Sequence, residues 1–554
     1  MASQQYSSEL EMANSSSLSV YDGDSAYAPK LDLAKESELY MDATQLRQRS
    51  PISQAAVWIL SWLVPGLGMF SEAYWVFSVG NLKGIFTAEY PNCWKSHSQC
   101  SSGLINSLTY TQVAGIIAGQ ITLGFLADRI GRKWGSVTTA SLMLIGGILI
   151  LASAGNSPHG IFLMYTTCQV IFGYGVGGEY PIASSSAAER AEADKQLQFK
   201  RGETVILVFA MQGWGNWVNT MVLVVLLACF HENKAPYQTS HLNDVWRISY
   251  AIGLMPIITM LVWRIFFLRE SAVWVGKRHA LKATGVNSRL SLIKFWMWVK
   301  LYWHRQLGTA LSWFVWDFAF YGNKLFQSTF IGIIVPHASL KTSLEWTLLN
   351  STVALVGYYF AAFTVDRAWM GRRRMQMMGF AWMFALFLVC AIAYKPLTQP
   401  SGIHWFQFLY FFSSFWGQFG PNATTWLLPG ELFPTEARAM SHGLSAAVGK
   451  AGALVAGVVF ALTSDQGKFY ISASCGLAGV LCTFLFIPDI TGLDLREGDR
   501  RWIKNVEGKG NAYYGEAINP RYLSVFEQYI LGYGRSYSPA KEMEIRKAEV
   551  AVLR

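Results

Sequence analysis

The chain has 554 residues, 52% of them hydrophobic and only 14% charged, with a formal net charge of +10. That balance is far from a soluble average and places the chain among integral membrane proteins. The excess of Lys and Arg falls in alternate loops, so it reports topology and not nucleic-acid binding.

Residues 1–50 are Ser-rich and acidic, with no basic start, apolar core and small-residue cleavage site in succession. A signal peptide is not expected there, and a disordered tail is. Twelve apolar runs of about 20 residues follow, each long enough to cross a hydrocarbon core. They lie near 56–80, 104–126, 135–154, 161–185, 203–230, 246–268, 308–335, 345–365, 376–394, 403–428, 440–463 and 468–487. Basic residues precede the first run and cluster at Arg129, Arg132 and Lys133, at Lys195, Lys200 and Arg201, and at Arg372, Arg373 and Arg374. The positive-inside rule then predicts that both termini are cytosolic.

Cys93 and Cys100 fall in the first outward loop, where an oxidising exterior permits a disulfide without requiring one. Between runs six and seven a basic segment with interspersed apolar residues is expected to lie along the inner membrane surface. It divides the chain into a tail (1–55), a six-helix bundle (56–268), a linker (269–307), a second bundle (308–487) and a C-terminal tail (488–554). The halves share a signature, GFLADRIGRK at 124–133 and AAFTVDRAWMGRRR at 361–374. Asp128, Arg129 and Arg132 in one copy, and Asp366 and Arg367 in the other, are candidate gating residues, because cations suit a helix C-terminus while the carboxylate can latch a neighbouring helix.

Ionisable residues inside apolar spans are costly and mark function. Glu72, Glu179, Asp317 and Lys450 all lie within predicted spans. Trp313, Asp317 and Tyr321 are four residues apart, on one face of a helix. Gln212 adds an amide to the fifth span. Gly173, Gly175, Gly177 and Gly178 before Glu179 predict close helix packing, and Pro181 a bend. Glu431 and Arg438, in PGELFPTEAR, are predicted to pair with Arg367 and Asp366 at an inner gate. No nucleophile and base, metal-ligand or nucleotide-phosphate arrangement stands out, so no enzyme activity, cofactor or metal is expected.

GFLADRIGRK resembles the loop signature of the major facilitator superfamily. GYGVGGEYPIASSSAAER at 173–190, VFAMQGWG at 208–215, SWFVWDFAFYGNKLFQS at 312–328 and the segment from Phe419 to Ala453 together resemble the phosphate:proton symporter family. The resemblance implies an all-α membrane protein with twelve transmembrane helices in two pseudo-symmetric bundles. It also implies a substrate set of Tyr180, Gln212, Trp313, Asp317, Tyr321 and Lys450, with Asp317 facing Lys450, and proton coupling through Glu72, Glu179 and Asp317.

The chain departs from that family's pattern. Glu72 and Glu179 stand where aspartates are commoner, Trp75 where a second acid is usual, and Gln169 where many relatives carry an arginine, which leaves Glu179 without that compensating charge. The expected function is proton-coupled symport of phosphate or a small phosphoester anion, by a monomer in the plasma membrane. Transport of another organic anion, or a transporter-like nutrient receptor with little flux, remains open from the sequence.

Overall fold

The computed structural model describes residues 51–193, 200–268, 270, 275, 292–325, 331–332, 335 and 338–553. The expected N-terminal tail and most of the linker lie outside them. Among the described residues twelve long helices run back and forth. Those of the first half are α1 (Pro51–Val76, continued by Ser78–Glu89 past a break at Phe77), α2 (Ser102–Ile130), α3 (Arg132–Leu151), α4 (Pro158–Ala193), α5 (Arg201–Cys229) and α6 (Thr239–Phe266). The second half holds α7 (Leu292–Leu325), α8 (Leu340–Thr364), α9 (Gly371–Ile392), α10 (Ile403–Gly417, a π turn Gln418–Asn422, then Ala423–Glu431), α11 (Arg438–Leu462) and α12 (Asp465–Phe486).

Seven of these, α2, α3, α4, α6, α9, α11 and α12, contain an 18-residue stretch apolar enough to cross a membrane. The other five, α1, α5, α7, α8 and α10, contribute Glu72, Gln212, Asp317, Tyr358 and Asn422 to the centre of the molecule.

The packing repeats between halves. Helix α1 packs on α5, α2 on α4, and α3 on α4 and α6. Adding six to each label gives α7 on α11, α8 on α10, and α9 on α10 and α12, and these contacts are made too. Across the divide α2 meets α11 and α5 meets α8, pairs that the same operation exchanges. This is the major facilitator fold.

Local sequence explains the close approaches. A side chain at Gly173 or Gly177 of α4 would run into the carbonyls of Gln112 and Ile116 on α2, so the expected glycine packing holds these two helices together. Gly131, between α2 and α3, has φ +99°, where L side chains are strained. Its turn leaves the first N–H groups of α3 facing the Glu270 carboxylate, which accepts from Arg132 N at 2.5 Å and Lys133 N at 3.2 Å. Ser101, Ser339 and Ser464 cap α2, α8 and α12 by accepting backbone N–H groups.

Cys93 and Cys100 are disulfide-bonded in the loop after α1, which labels one end of the bundle; the Arg clusters mark the other, the basic end. Helix α7 is already helical at Leu292, sixteen residues before the predicted span, and Trp298 and Tyr302 on this extension are buried against Phe433, Leu493 and Trp502. The C-terminal tail is therefore folded onto the basic end, with helices α13 (Leu495–Val506) and α14 (Pro539–Leu553). Asp499 accepts from Thr435 N at 2.7 Å and Thr435 Oγ1 at 2.8 Å. Glu527 is fully buried and accepts from Arg305 Nε at 2.7 Å, with His304 Nε2 at 2.9 Å. Burial alone would push the Glu527 carboxyl up, but Arg305 and His304 outweigh it and hold it well below the usual carboxylate range.

Candidate functional site

Seven helices aim polar side chains at the centre. From α7, Asp317 Oδ2 accepts from Lys450 Nζ of α11 at 2.8 Å, and both side chains are about 3% exposed. The expected charge pair is formed. Lys450 Nζ also lies 4.5 Å from the Tyr321 ring centre and 5.2 Å from that of Tyr180.

Beside this pair, Glu72 of α1 accepts from Tyr180 OH at 2.8 Å and from Gln212 Nε2 at 3.1 Å. Two groups that sequence reading did not assign complete the network. Tyr358 OH donates to Gln212 Oε1 at 2.7 Å, and Asn422 Nδ2 donates to Tyr358 OH at 2.6 Å and to Gln212 Oε1 at 3.2 Å. Trp316 Nε1 in turn donates to Asn422 Oδ1 at 2.9 Å. The π turn of α10 puts Gln418 and Asn422 in hydrogen-bond contact, as inserted turns at functional positions often do. Asn422 lay inside a recognised motif, whereas Tyr358 carried no signal beyond being a tyrosine in an apolar run.

A small cavity sits here, lined by Tyr180, Gln212, Trp313, Asp317, Tyr321 and Lys450 together with Phe209, Phe320 and Asn422. Every member of the expected substrate set borders it. A larger cavity lies toward the disulfide end, lined by Asn81, Gln112, Asn216, Tyr321, Lys324 and Thr347 among others. Tyr321 separates the two.

Glu179 is placed elsewhere. Neighbouring residues on a helix point about 100° apart, so Tyr180 faces the cavity while Glu179 turns toward α3 and α6. Its carboxylate forms a two-point ion pair with Arg264, one arm being Nη1 to Oε2 at 2.8 Å, and accepts from Thr139 Oγ1 at 3.0 Å. The expectation that Glu179 lacks a compensating charge is thus corrected. The cation comes from the last turn of α6, a residue that sequence reading did not assign. Gln169 instead accepts from Thr111 at 3.0 Å.

At the basic end the predicted pairing is also corrected. The partners of Glu431 are Arg201 Nε at 2.6 Å and Arg372, whose Nε lies at 3.1 Å; Arg367 is exposed. Asp366 pairs with Arg372 at 2.6 Å and accepts from Gly202 N at 3.2 Å and Glu203 N at 2.8 Å, capping α5 from the opposite half. The reason is local. Arg372 opens α9 and is fully buried behind Gly371, and Arg201 opens α5 directly opposite the end of α10. Arg438 is buried with Nε donating to the Phe433 carbonyl at 3.4 Å, and Arg129 lies over the Phe125 ring at 4.1 Å. The Asp128 side chain lies outside the description. Arg201 and Asp366 tie the two halves together, so the basic end is closed.

Among the described residues no group of three His, Cys, Asp or Glu side chains is disposed to hold a metal. A twelve-helix bundle with a buried charged cavity between two like halves defines a membrane transporter and not an enzyme. Residues 64–502 match the family described as "Sugar (and other) transporter", and the chain belongs to that family. It is 30% identical to Glycerophosphoinositol permease 1 of Candida albicans, over 83% of this chain and 84% of that one. It is 31% identical to Probable inorganic phosphate transporter 1-6 of Arabidopsis thaliana, over 78% of this chain and 92% of that one. Among solved structures it resembles the proton:xylose symporter XylE, of E. coli, bound to 6-bromo-6-deoxy-D-glucose, with a TM-score of 0.62, 19% identity, and coverage of 81% of this chain and 99% of that one. That likeness concerns the fold.

Proposed function

We propose that the protein is a proton-coupled symporter of inorganic phosphate or a small phosphoester anion. It works as a monomer by alternating access, in a plasma membrane with both termini cytosolic. The observation that carries the reading is the charge balance of the central cavity. Lys450 supplies one positive charge, while Asp317 and Glu72 supply two negative ones when ionised. An entering monoanion would then meet a net negative site, and a like-charge contact at about 4 Å costs about 4 kcal/mol at an effective dielectric near 20. Protonating both carboxylates removes that repulsion and leaves Lys450 free to pair with the anion. Anion binding is thereby tied to proton uptake.

Tyr180, Gln212, Trp313, Tyr321 and Asn422 supply hydrogen-bonding groups around the cation, which suits a tetrahedral oxyanion. The Arg201–Glu431–Arg372–Asp366 cluster acts as the inner gate, and rocking of the halves opens it. In the closed state Glu179 is paired with Arg264, so Glu72 and Asp317 carry the coupling there. Competition uptake in proteoliposomes, with phosphate, phosphodiesters and carboxylates under imposed pH gradients, tests this. Acid-stimulated uptake that carboxylates do not inhibit supports it; saturable binding without flux would support a receptor instead.

A further inference from the structure

Between the two halves, on the disulfide side of the central cavity, α1, α2, α5, α7 and α8 enclose the larger cavity, of about 80 Å³. We infer that it is an anion-capture site, in which Lys324 holds an incoming oxyanion, phosphate or the phosphate group of an ester, before it passes Tyr321 to reach Lys450. The inference rests on the phosphate reading above and adds to it the first position on the path.

Charge sets this cavity apart from the central one. Lys324 borders it, and among its described lining residues there is no Asp or Glu. The central cation is matched by Asp317 and Glu72, so an anion there waits for protons. At Lys324 no bordering carboxylate repels the anion and none has to be neutralised first. Capture is therefore independent of protons, and coupling is confined to the next step. A cation recessed between low-dielectric walls also focuses its field toward the mouth, which raises the local concentration of anions.

The groups around this cation suit an oxyanion. Gln112 of α2 borders the cavity and is only 4% exposed, yet no protein group among the described residues bonds its side-chain amide. Asn81 and Asn216, by contrast, donate to Asn219 and Ser351, each at 2.9 Å. A buried amide without a partner is costly, and an oxyanion accepts what its N–H groups offer. The Tyr321 hydroxyl is in the same condition, buried at the wall shared with the central cavity and bonded by no described protein group. One water-sized group needs about 10–15 Å³, so the cavity admits several, enough for a small oxyanion.

Asp317, Tyr321 and Lys324 follow one another at i, i+4 and i+7 along one face of α7, which sets Lys324 about 10 Å from Asp317 along the helix axis. The Tyr321 ring lies between them, with Lys450 Nζ 4.5 Å from its centre. An anion leaving Lys324 thus has one aromatic ring to pass before it meets the second cation.

The test uses full-length protein in proteoliposomes, with initial rates of labelled phosphate uptake measured against phosphate concentration. Wild type is compared with Lys324→Gln, Lys324→Arg and Gln112→Leu, and thermal unfolding in detergent confirms that each variant is folded. Lys324→Gln should raise KM about tenfold, as loss of a charge-assisted hydrogen bond does, and leave the maximal rate unchanged, because the central site and inner gate are intact. Lys324→Arg keeps the cation and should stay within about twofold of wild type. Gln112→Leu tests the opposite wall and should raise KM about threefold. An unchanged KM in Lys324→Gln or in Gln112→Leu, an equal rise in Lys324→Arg, or a fall in maximal rate alone overturns the capture site and leaves the central one standing. Wild type that takes up no phosphate defeats the phosphate reading, and this site with it.

Discussion

Arg264→Met removes the cation that balances Glu179 while keeping much of the side-chain volume. The wild-type guanidinium contacts both Glu179 oxygens and donates to the Ser136 carbonyl at 2.9 Å. Without it Glu179 is a fully buried carboxylate with Thr139 as its remaining donor. Breaking one side of a buried pair costs about 3–5 kcal/mol, and the penalty belongs to the stranded charge. Glu179→Gln introduced into the same chain removes that charge, so the double variant should be more stable than the sum of the two single losses implies, by about 1–3 kcal/mol. Urea unfolding in micelles, followed by near-UV circular dichroism, gives the four free energies. Losses that add within about 0.3–0.5 kcal/mol would show that Glu179 and Arg264 do not depend on each other. Glu179 would then again be a free-standing candidate for the transported proton.

Lys450→Ala deletes the cavity cation and should abolish saturable phosphate binding, whereas Asp317→Asn should keep binding and lose its dependence on pH; equal defects in calorimetric titrations would contradict the assignment. Glu431→Gln deprives Arg201 and Arg372 of their shared carboxylate, so spin labels on the two halves at the basic end should move apart, and an unchanged distance distribution would count against a gate there. Glu527→Gln should speed proteolysis of the C-terminal tail at neutral pH, because the carboxylate that Arg305 and His304 hold is gone. Since the native Glu527 carboxyl is depressed, its contribution is complete above the unfolded value of about 4.3 and is lost as pH falls toward the native one. A tail equally protected in variant and wild type would refute that.

The sequence disclosed the parts that bilayer physics makes expensive. Twelve spans, a repeat across two halves and four buried ionisable residues follow from hydropathy and the cost of charge in lipid. The Asp317–Lys450 pair was legible because a lysine deep in a span demands an anion. The Glu179–Arg264 pair was not, because an arginine in the last turn of a span looks the same whether it reaches water or turns inward. Arg201 and Arg372 were hidden for the same reason among positive-inside charges. Tyr358 and Asn422 are uncharged, so no desolvation cost singled them out. The tail's attachment through Asp499, Trp502 and Glu527 depends on contacts across more than 60 residues, which local pattern does not encode.

The central claim is that anion entry requires protons on the carboxylates around Lys450. Its most direct test is labelled phosphate uptake into proteoliposomes carrying an inward proton gradient, with and without a protonophore, for wild type and for Glu72→Gln/Asp317→Asn. The account predicts concentrative uptake by wild type that collapses with the gradient, and non-concentrative exchange by the double variant that ignores it. Accumulation by wild type that survives loss of the proton gradient would contradict it.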